Sequence, residues 1–334
     1  MKACIYGAGA IGGWIGSALA RAGVDISVVA RGATLAALQQ HGLRLNQGGQ
    51  ISTHSVRCSA DPAVLGTQDL VVLSVKAPSL PGVVDHIAPL VGPNTMVLTA
   101  MNGVPWWFLQ DFGGTLAGQR LTSVDPTGDI AAAVPAQHIT GCVVHASCSI
   151  DAPGLVRHHF GNKLIIGEPS GQKTARVVQL AALLEQAGFE APISSQIQKD
   201  IWFKLWGNMT INPISALTGA TTDLILQDEL VRGFISSAML EAKEIGARLG
   251  IVIDQEPEDR HAITLKLGAF KTSMLQDVEA GRAIELDALV SSVRELGSLS
   301  GVATPVIDAL LGLARLHGRM RGIYPARSGL KIET

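Results

Sequence analysis

Apolar and polar positions along the first half of the chain follow two patterns in turn. Short runs rich in β-branched and apolar residues are separated by stretches of helical periodicity, which is typical of βαβ units and a parallel sheet. The pattern predicts strands over Lys2–Tyr6, Ile26–Ala30, Leu70–Val75 and Thr95–Ala100. Two later runs between Gly and Pro signals predict further strands, with an antiparallel pairing as one option, over Ile139–Ile150 and Gly154–Gly167.

The second half of the chain has a different pattern, in which apolar residues recur at helical spacing. The spacing predicts helices over Thr174–Ala187, Gln198–Asn212, Leu230–Leu249, Pro257–Ala280, Leu286–Ser300 and Pro305–His317. Small, polar and breaker residues interrupt this periodicity around Pro192–Ser195. We therefore predict two domains, 1–195 and 196–334, of which the second is mainly α-helical.

The first predicted strand leads directly into a glycine-rich turn, Gly7-Ala8-Gly9-Ala10-Ile11-Gly12, and then into a helix. In a G-x-G-x-x-G turn the first glycine permits the bend, the second lets the backbone approach a pyrophosphate, and the third lets the helix pack on the strand. The helix N-terminus offers N–H groups and positive dipole to the phosphates. The motif alone is weak evidence, but its place between strand and helix predicts an α/β fold with an N-terminal Rossmann-type dinucleotide-binding domain.

Arg31 follows the second predicted strand, where NAD-dependent enzymes place an acidic residue on the ribose 2′-hydroxyl. A guanidinium can pair with a 2′-phosphate through two hydrogen bonds, and no carboxylate is offered here to a free hydroxyl. The sequence therefore predicts NADP (NADPH) as the cofactor. The alternative is that Arg31 is a solvated loop residue.

Two more polar residues follow predicted strands. Lys76 comes after the strand that ends at Val75, and Asn102 comes shortly after the strand that ends at Ala100. The carboxyl ends of parallel strands face the ligand crevice of an open sheet, so both side chains could reach the cofactor or the substrate. The alternative is that Lys76 and Asn102 are ordinary loop residues, since their position alone is also consistent with that.

Lys204, Asn208 and Asn212 recur at intervals of four and therefore share one face of a predicted helix. Large apolar residues surround them, so the helix is expected to be buried and its lysine costly unless it has a function. Burial lowers a lysine pKa, which suits proton donation to a carbonyl oxygen. Pro213 predicts a kink at Asn212. The alternative is a lysine that extends to solvent beside two amides that bind the backbone.

Composition and charge narrow the range of partners. The chain has 334 residues, of which 47% are hydrophobic and 16% charged, enough for about two globular domains. Its formal net charge is -2, and no run of Lys or Arg suggests nucleic acid or acidic lipid. We therefore expect a small-molecule partner, no nucleic acid and no membrane.

The cysteines and the N-terminal apolar run bear on location. The chain has four cysteines, Cys4, Cys58, Cys142 and Cys148, and none are in C-x-x-C spacing. This predicts free thiols without disulfides, a reducing compartment and no metal site. Residues 3–20 are uncharged and apolar, as in a signal peptide or membrane segment, but their five glycines favour the nucleotide-binding turn. A cytoplasmic protein is expected.

Taken in order, these segments resemble the ketopantoate reductase (2-dehydropantoate 2-reductase) family over nearly the whole chain. The resemblance is carried by GAGAIG at 7–12, Arg31, Lys76, Asn102-Gly103, KLWGNMTINP at 204–213, SMLQD at 273–277 and Glu285. The pattern KLxxNxxINP followed by SMxxD is far more specific than the glycine turn. Taken alone, Ser273, Glu285 and Asp287 could equally be polar residues at helix ends.

The resemblance implies NADPH-dependent reduction of a 2-oxo acid to a 2-hydroxy acid, in the family ketopantoate to (R)-pantoate on the route to pantothenate. It implies that Lys204 is the general acid, that Asn208 and Asn212 orient lysine and substrate, and that Ser273 and Glu285 bind substrate hydroxyl or carboxylate groups. Glu285 would also take part in catalysis. Residues that would hold the cofactor are Gly7, Ala8, Gly9, Ala10, Ile11, Gly12, Arg31, Lys76 and Asn102. A homodimer is a further expectation.

The substrate side departs from the family pattern in two places. Thr222 stands where the family has an asparagine, and Val290-Ser291 replaces the Asn-Gly of a D-x-x-N-G segment. A different 2-oxo acid is therefore an alternative substrate. A relative of the 3-hydroxyacid dehydrogenases, or a non-catalytic NADP-sensing protein, would also contain a Rossmann turn of this kind.

Overall fold

The structure is a computed structural model that describes residues 1–326. These residues form two compact units. The first contains Met1–Phe112 and Ala117–Ile201, and the second contains Gly113–Leu116 and the chain from Trp202 onward. The predicted domains, 1–195 and 196–334, stay a proposal.

The first unit is built mainly of strands, with helices between the early ones. Its elements are β1 (Lys2–Tyr6), α1 (Ala10–Arg21), β2 (Asp25–Val29), α2 (Gly32–His41), β3 (Leu43–Gln47), β4 (Gln50–His54), β5 (Arg57–Ser59), β6 (Gln68–Leu73), α3 (Pro81–Val84), β7 (Val91–Thr99), α4 (Asp129–Ala133), β8 (Ile139–Ala152), β9 (Leu155–Gly167) and α5 (Ala175–Gln186). The predicted α/β class is confirmed.

These strands form one nine-stranded sheet in the order β4-β3-β9-β8-β7-β6-β1-β2-β5. β1 lies between β2 and β6 and is parallel to both, and β7 continues the parallel part beyond β6. Four of the five β1 residues are buried, as expected for a parallel strand covered on both faces. The pair β8 and β9 is antiparallel.

Strands β3, β4 and β5 were not predicted from the sequence. They are short, and many of their side chains are polar and only partly buried, so they lack a clear two-residue alternation. Gly48 and Gly49 both have positive φ, at 61° and 85°, and join β3 to β4 in a tight hairpin. This Gly-Gly pair was the available signal for the hairpin.

The second unit is helical, as predicted. Its elements are α6 (Ile197–Thr218), which begins in the first unit, α7 (Thr222–Gln227), α8 (Glu229–Arg248), α9 (Pro257–Leu265), α10 (Ser273–Glu279), a π-helical turn (Asp287–Ser291), α11 (Ser292–Ser300) and α12 (Pro305–Met320). Within residues 1–326, no helix combines the length and the apolar character needed to cross a membrane.

Two helix predictions in this unit are wrong. The predicted single helix over 257–280 is two helices, because Gly268 takes a left-handed φ of 64° and Thr272 caps the start of α10. The predicted helix end at Asn212 is also wrong, since α6 continues through Pro213 to Thr218. Burial on both sides of the proline offsets the lost backbone hydrogen bond, which costs about 3 kcal/mol in an exposed helix.

Candidate active site

The glycine turn is fixed by contacts with two neighbouring strands. Gly7 has a φ of 99°, its N–H donates to the Val29 carbonyl over 3.2 Å, and its own carbonyl accepts from the Ser74 hydroxyl over 2.9 Å. Any Cβ at Gly7 would lie 2.8 Å from Val75 Cγ1. A residue other than glycine would therefore be both strained and crowded at this position.

Gly9 and Gly12 serve different purposes in the turn. A Cβ on Gly12 would lie 2.2 Å from the Gly7 carbonyl oxygen and 2.2 Å from Ser74 Oγ, so Gly12 is needed for helix α1 to pack on the strands. A Cβ on Gly9 would meet nothing within 4 Å. Gly9 therefore faces open space, which is the place where backbone can approach a ligand.

The N-terminus of α1 suits an anion. Gly9 is the N-cap, no side chain among the described residues caps the helix, and its first turn contains no acidic residue. Its first N–H groups and dipole are thus directed at the open space beside Gly9. The neighbouring turn residues Ala8, Ala10 and Ile11 are half-buried and carry no charge. This turn fits the pyrophosphate of a dinucleotide.

The predicted cofactor residues lie along one edge of the sheet. Because β7, β6, β1 and β2 are adjacent and parallel, their carboxyl ends share an edge. Gly7 follows β1 directly, Arg31 follows β2, Lys76 follows β6 and Asn102 follows β7. After β1 the chain forms β2 on one side of β1, and the later strand β6 lies on its other side. Open α/β sheets bind ligands at such a topological switch point.

Arg31 is exposed at the start of α2 and has an extended φ of −133°. Burial raises the pKa of Tyr6, and the positive charge of Arg31 opposes that rise, which places the guanidinium within electrostatic reach of the residue before Gly7. No acidic residue lies in the first turn of α2. The surroundings of Arg31 are therefore suited to a negatively charged group.

Helix α6 carries the predicted catalytic face. The Nε1 atoms of Trp202 and Trp206 donate to the carbonyls of Ala242 and Met239 on α8, over 3.3 and 2.7 Å. Lys204 lies two residues from each tryptophan, hence roughly 200° around the helix, on the side away from α8.

The predicted polar residues of α6 lie along this other side of the helix. Lys204 and Asn208 are half-buried, and Asn212 is buried. The structure thus brings these three side chains together along one helix. Because Lys204 and Asn208 are only partly buried, the polar groups of this face are suited to binding a small polar ligand.

Ser273 and Glu285 lie on other segments of the second unit. Ser273 is the exposed first residue of α10, beside the Thr272 cap, whereas Glu285 is buried just before the π-helical turn. Asp287 accepts hydrogen bonds from the hydroxyls of Tyr324 and Ser291, over 2.6 and 2.8 Å. Asp287 therefore anchors the turn.

The residues that depart from the family pattern have structural contacts. Thr222 is buried, its hydroxyl donates to the Gly268 carbonyl over 2.8 Å, and its N–H donates to the Phe270 carbonyl over 3.0 Å. Val290 is fully buried in the π-helical turn. Thr222 thus binds the backbone around Gly268 and Phe270, and Val290 packs in the interior of the second unit.

Ser74 was not predicted as part of the cofactor turn, although its position at the carboxyl end of β6 was a signal.

Two of the four thiols are held in their protonated form by burial. The four cysteines, all within residues 1–326, are free thiols, as predicted. Burial raises the pKa of Cys4 to about 11 and that of Cys148 to about 12, so neither is a thiolate near neutral pH.

Comparison with known proteins gives a consistent result for both halves of the chain. Residues 3–111 match the family model "Ketopantoate reductase PanE/ApbA", and residues 196–318 match "Ketopantoate reductase PanE/ApbA C terminal". The chain is 49% identical to 2-dehydropantoate 2-reductase of Mesorhizobium japonicum over 97% of its own length and 100% of that protein.

Solved structures agree with the sequence comparisons. A crystal structure from Ralstonia solanacearum MolK2, provisionally described as a ketopantoate reductase, has 56% identity and a TM-score of 0.94, covering 97% of this chain and 99% of that one. D-mandelate dehydrogenase with NADH and anilino(oxo)acetate has a TM-score of 0.83, covering 97% and 100%, at 22% identity. That second likeness concerns the fold alone.

Proposed function

Because the chain belongs to the ketopantoate reductase family, we propose that it reduces 2-dehydropantoate (ketopantoate) to (R)-pantoate with NADPH. The observation that carries this proposal is the helix face of Lys204, Asn208 and Asn212, in a chain 49% identical to a 2-dehydropantoate 2-reductase. The reaction belongs to the synthesis of pantothenate.

The glycine turn is the proposed site of the cofactor pyrophosphate. Backbone N–H groups at the start of α1 bind the phosphates, while Gly9 admits them and Gly12 holds the helix against the sheet. Lys76 and Asn102, at the same sheet edge, bind further cofactor groups. When bound, the nicotinamide supplies the hydride.

NADPH is proposed over NADH because of Arg31. Its exposed guanidinium stands at the end of β2, where a 2′-phosphate would lie, and the first turn of α2 contains no acidic residue that could bind a ribose hydroxyl instead. The structural neighbour that contains NADH is 22% identical and has no bearing on this choice.

Lys204 is proposed as the general acid. Hydride addition to the carbonyl carbon breaks the C–O π bond and leaves a negative charge on oxygen, which takes a proton from the Lys204 ammonium. Asn208 and Asn212 orient the lysine and the substrate from successive turns of the same helix. Glu285 and Ser273 hydrogen-bond the substrate, and Glu285 assists the acid.

The test is NADPH oxidation by the purified protein across a panel of 2-oxo acids that includes 2-dehydropantoate, with the product identified by chromatography. We expect turnover with 2-dehydropantoate and formation of (R)-pantoate. NADPH binding without turnover of any 2-oxo acid would instead support a sensor of NADP.

A reductase of another 2-oxo acid is the second candidate. Thr222 favours this candidate, because it stands where the family pattern has an asparagine side-chain amide. Its hydroxyl donates a hydrogen bond to the Gly268 carbonyl. If that amide binds substrate elsewhere in the family, this chain lacks the contact. A higher kcat/KM for another member of the panel would support this candidate.

Two further parts of the sequence prediction stay proposals. We propose a homodimer, for which light scattering on the purified protein should give twice the chain mass of 34.9 kDa. We also propose a cytoplasmic location, which a fusion to a fluorescent protein would test.

A further inference from the structure

Arg260, on helix α9, lies against α6 at a position that no motif indicated. A Cβ built on Gly207 of α6 would be 2.8 Å from Arg260 Nε, so the glycine allows the guanidinium to rest on the helix. Arg260 Cζ is also 5.3 Å from the centroid of the Phe203 ring. The positive group is thus held at one place on the surface of α6.

Some arginines in the protein are paired with buried carboxylates, whereas three have a shielded Nε with no hydrogen-bond partner among the described residues: Arg44, Arg260 and Arg315. Arg176 Nε donates to the buried Glu168 over 2.8 Å, and Arg282 Nε donates to the buried Asp277 over 3.0 Å. Arg260 is the one of these three that lies against Gly207 of α6, and its Nε is shielded from solvent without a hydrogen-bond partner within residues 1–326. A shielded positive charge without an acid is costly unless something else supplies the negative charge.

The electrostatics agree with this geometry. Burial lowers the pKa of the Arg260 guanidinium, and the charges nearest along α9 do not relieve it. Glu258, on the same helix, is already engaged by Arg232 of α8, and the next residue, His261, contacts the Ser236 hydroxyl over 2.9 Å. The guanidinium therefore keeps its capacity to bind an anion.

Its place on α6 relates it to the proposed catalytic face. Gly207 is three residues after Lys204, so these two positions are neighbours on the helix surface. The guanidinium on Gly207 accordingly lies at the border of the face that carries Lys204 and Asn208. Two cationic groups thus adjoin one short stretch of helix.

A 2-oxo acid has two adjacent groups that need positive charge. Its carboxylate is bonded directly to the carbonyl that accepts hydride, and the carbonyl oxygen requires a proton donor. The other proposed substrate residues, Asn208, Asn212, Ser273 and Glu285, supply no positive charge. A guanidinium binds a carboxylate through two parallel hydrogen bonds, which also fix its orientation.

We propose that Arg260 binds the carboxylate of the 2-oxo acid, while Lys204 serves the adjacent carbonyl oxygen. This inference rests on the proposed function. It assigns substrate-class specificity to Arg260, because a neutral ester or amide of the same ketone would make no ion pair there.

The test compares Arg260→Gln with wild type, using Arg248→Gln as the control. Arg248 is exposed on α8 and pairs with Glu244 one turn away, so its loss removes a charge from the same unit at an unrelated place. We expect Arg260→Gln to raise KM for the best 2-oxo acid roughly 10- to 100-fold, as for a lost charged hydrogen bond, with a smaller change in kcat. KM for the methyl ester of that acid should stay within a few-fold.

Binding of oxamate, a carboxylate that cannot be reduced, tests the inference without turnover. Calorimetry in the presence of NADP should show oxamate affinity reduced by roughly 10- to 100-fold in Arg260→Gln and unchanged in Arg248→Gln. Should wild type reduce no 2-oxo acid, the proposed function fails, and oxamate binding still decides the role of Arg260.

Gly207→Ala is a second variant that keeps the arginine. Alanine is favoured in a helix interior, but its methyl group would displace the guanidinium. We expect a folded protein with weaker binding of oxamate and of the 2-oxo acid. Unchanged oxamate affinity in both variants, or equal losses for the acid and its ester, would overturn the proposal.

Discussion

The glycine turn of the first unit and helix α6 of the second differ in what forms their sites. In the turn, backbone groups within a few residues form the proposed cofactor site, and the side chains are absent or small. On α6, side chains form the proposed site: Met239 holds the opposite side of the helix through Trp206, and Arg260 packs beside Lys204 against Gly207. A backbone site can therefore be encoded locally, whereas a side-chain site depends on tertiary packing.

Substitution should have its strongest effect at the side-chain site. Lys204→Ala should lower kcat by about 10²–10⁴-fold, the usual contribution of general acid catalysis, because no donor then protonates the carbonyl oxygen. NADPH affinity should stay within a few-fold, since the proposed phosphate site is in the other unit. Steady-state kinetics and a fluorescence titration measure the two quantities.

Lys199→Ala is the matched control, because Lys199 is an exposed lysine on the same helix. Its kinetics should resemble those of wild type. A folded Lys204→Ala protein with near wild-type turnover would remove Lys204 as the acid and make Lys76 the next candidate.

The next effect concerns the one charged side chain proposed to select the cofactor. Arg31→Ala should weaken NADPH binding by about 1.5–3 kcal/mol and leave NADH nearly unchanged, because only NADPH has a 2′-phosphate. Arg57→Ala is the control. Arg57 is the first residue of β5 and lies beside Ser27 of β2, away from the carboxyl ends of the strands where Arg31 stands. Titrations in which both cofactors weaken equally would refute the assignment.

Two of the three glycines of the turn, Gly9 and Gly12, should separate cofactor binding from folding. Gly12→Ala should lower the free energy of unfolding by about 1–3 kcal/mol, because its methyl group would meet the Gly7 carbonyl and Ser74. Gly9→Ala should fold normally, since no atom lies within 4 Å of the new Cβ, yet bind NADPH more weakly. Thermal melts and titrations of both variants test this, and normal NADPH binding by Gly9→Ala would contradict it.

Thr222 should be the least sensitive of these positions. Thr222→Val removes the hydrogen bond to the Gly268 carbonyl and should lower the free energy of unfolding by about 1 kcal/mol. Thr222→Ser keeps the hydroxyl and serves as the control. Substrate preference should be the same in all three proteins, and a changed preference in the valine variant would show that the hydroxyl contacts substrate.

The sequence predicted the parts of the structure that depend on local pattern. β1, the glycine turn and α1 follow from a short apolar run and glycine spacing, and the shared helix face of Lys204 and Asn208 follows from their i, i+4 spacing. It could not predict the continuation of α6 through Pro213, because burial by other segments outweighs the local preference.

Arg260 shows the same limit for the site. Nothing within Pro257–Leu265 distinguishes this arginine from a solvated one. Its position against α6 depends on Gly207, which is distant in the chain. The break between α9 and α10 was missed because helical periodicity persists across Gly268, whose left-handed backbone ends the helix. The local pattern indicates neither feature.

The ratio of kcat/KM for 2-dehydropantoate to that for 3,3-dimethyl-2-oxobutanoate, measured with NADPH, is the sharpest test of the proposed activity. The two acids differ only in the hydroxyl group, so the ratio reports whether the second unit recognises ketopantoate itself. A site built to hydrogen-bond that hydroxyl should give a ratio above about 10², because its polar groups are left unpaired by the analogue. A ratio near unity, with good turnover of both acids, would contradict the proposed activity and identify a general 2-oxo acid reductase.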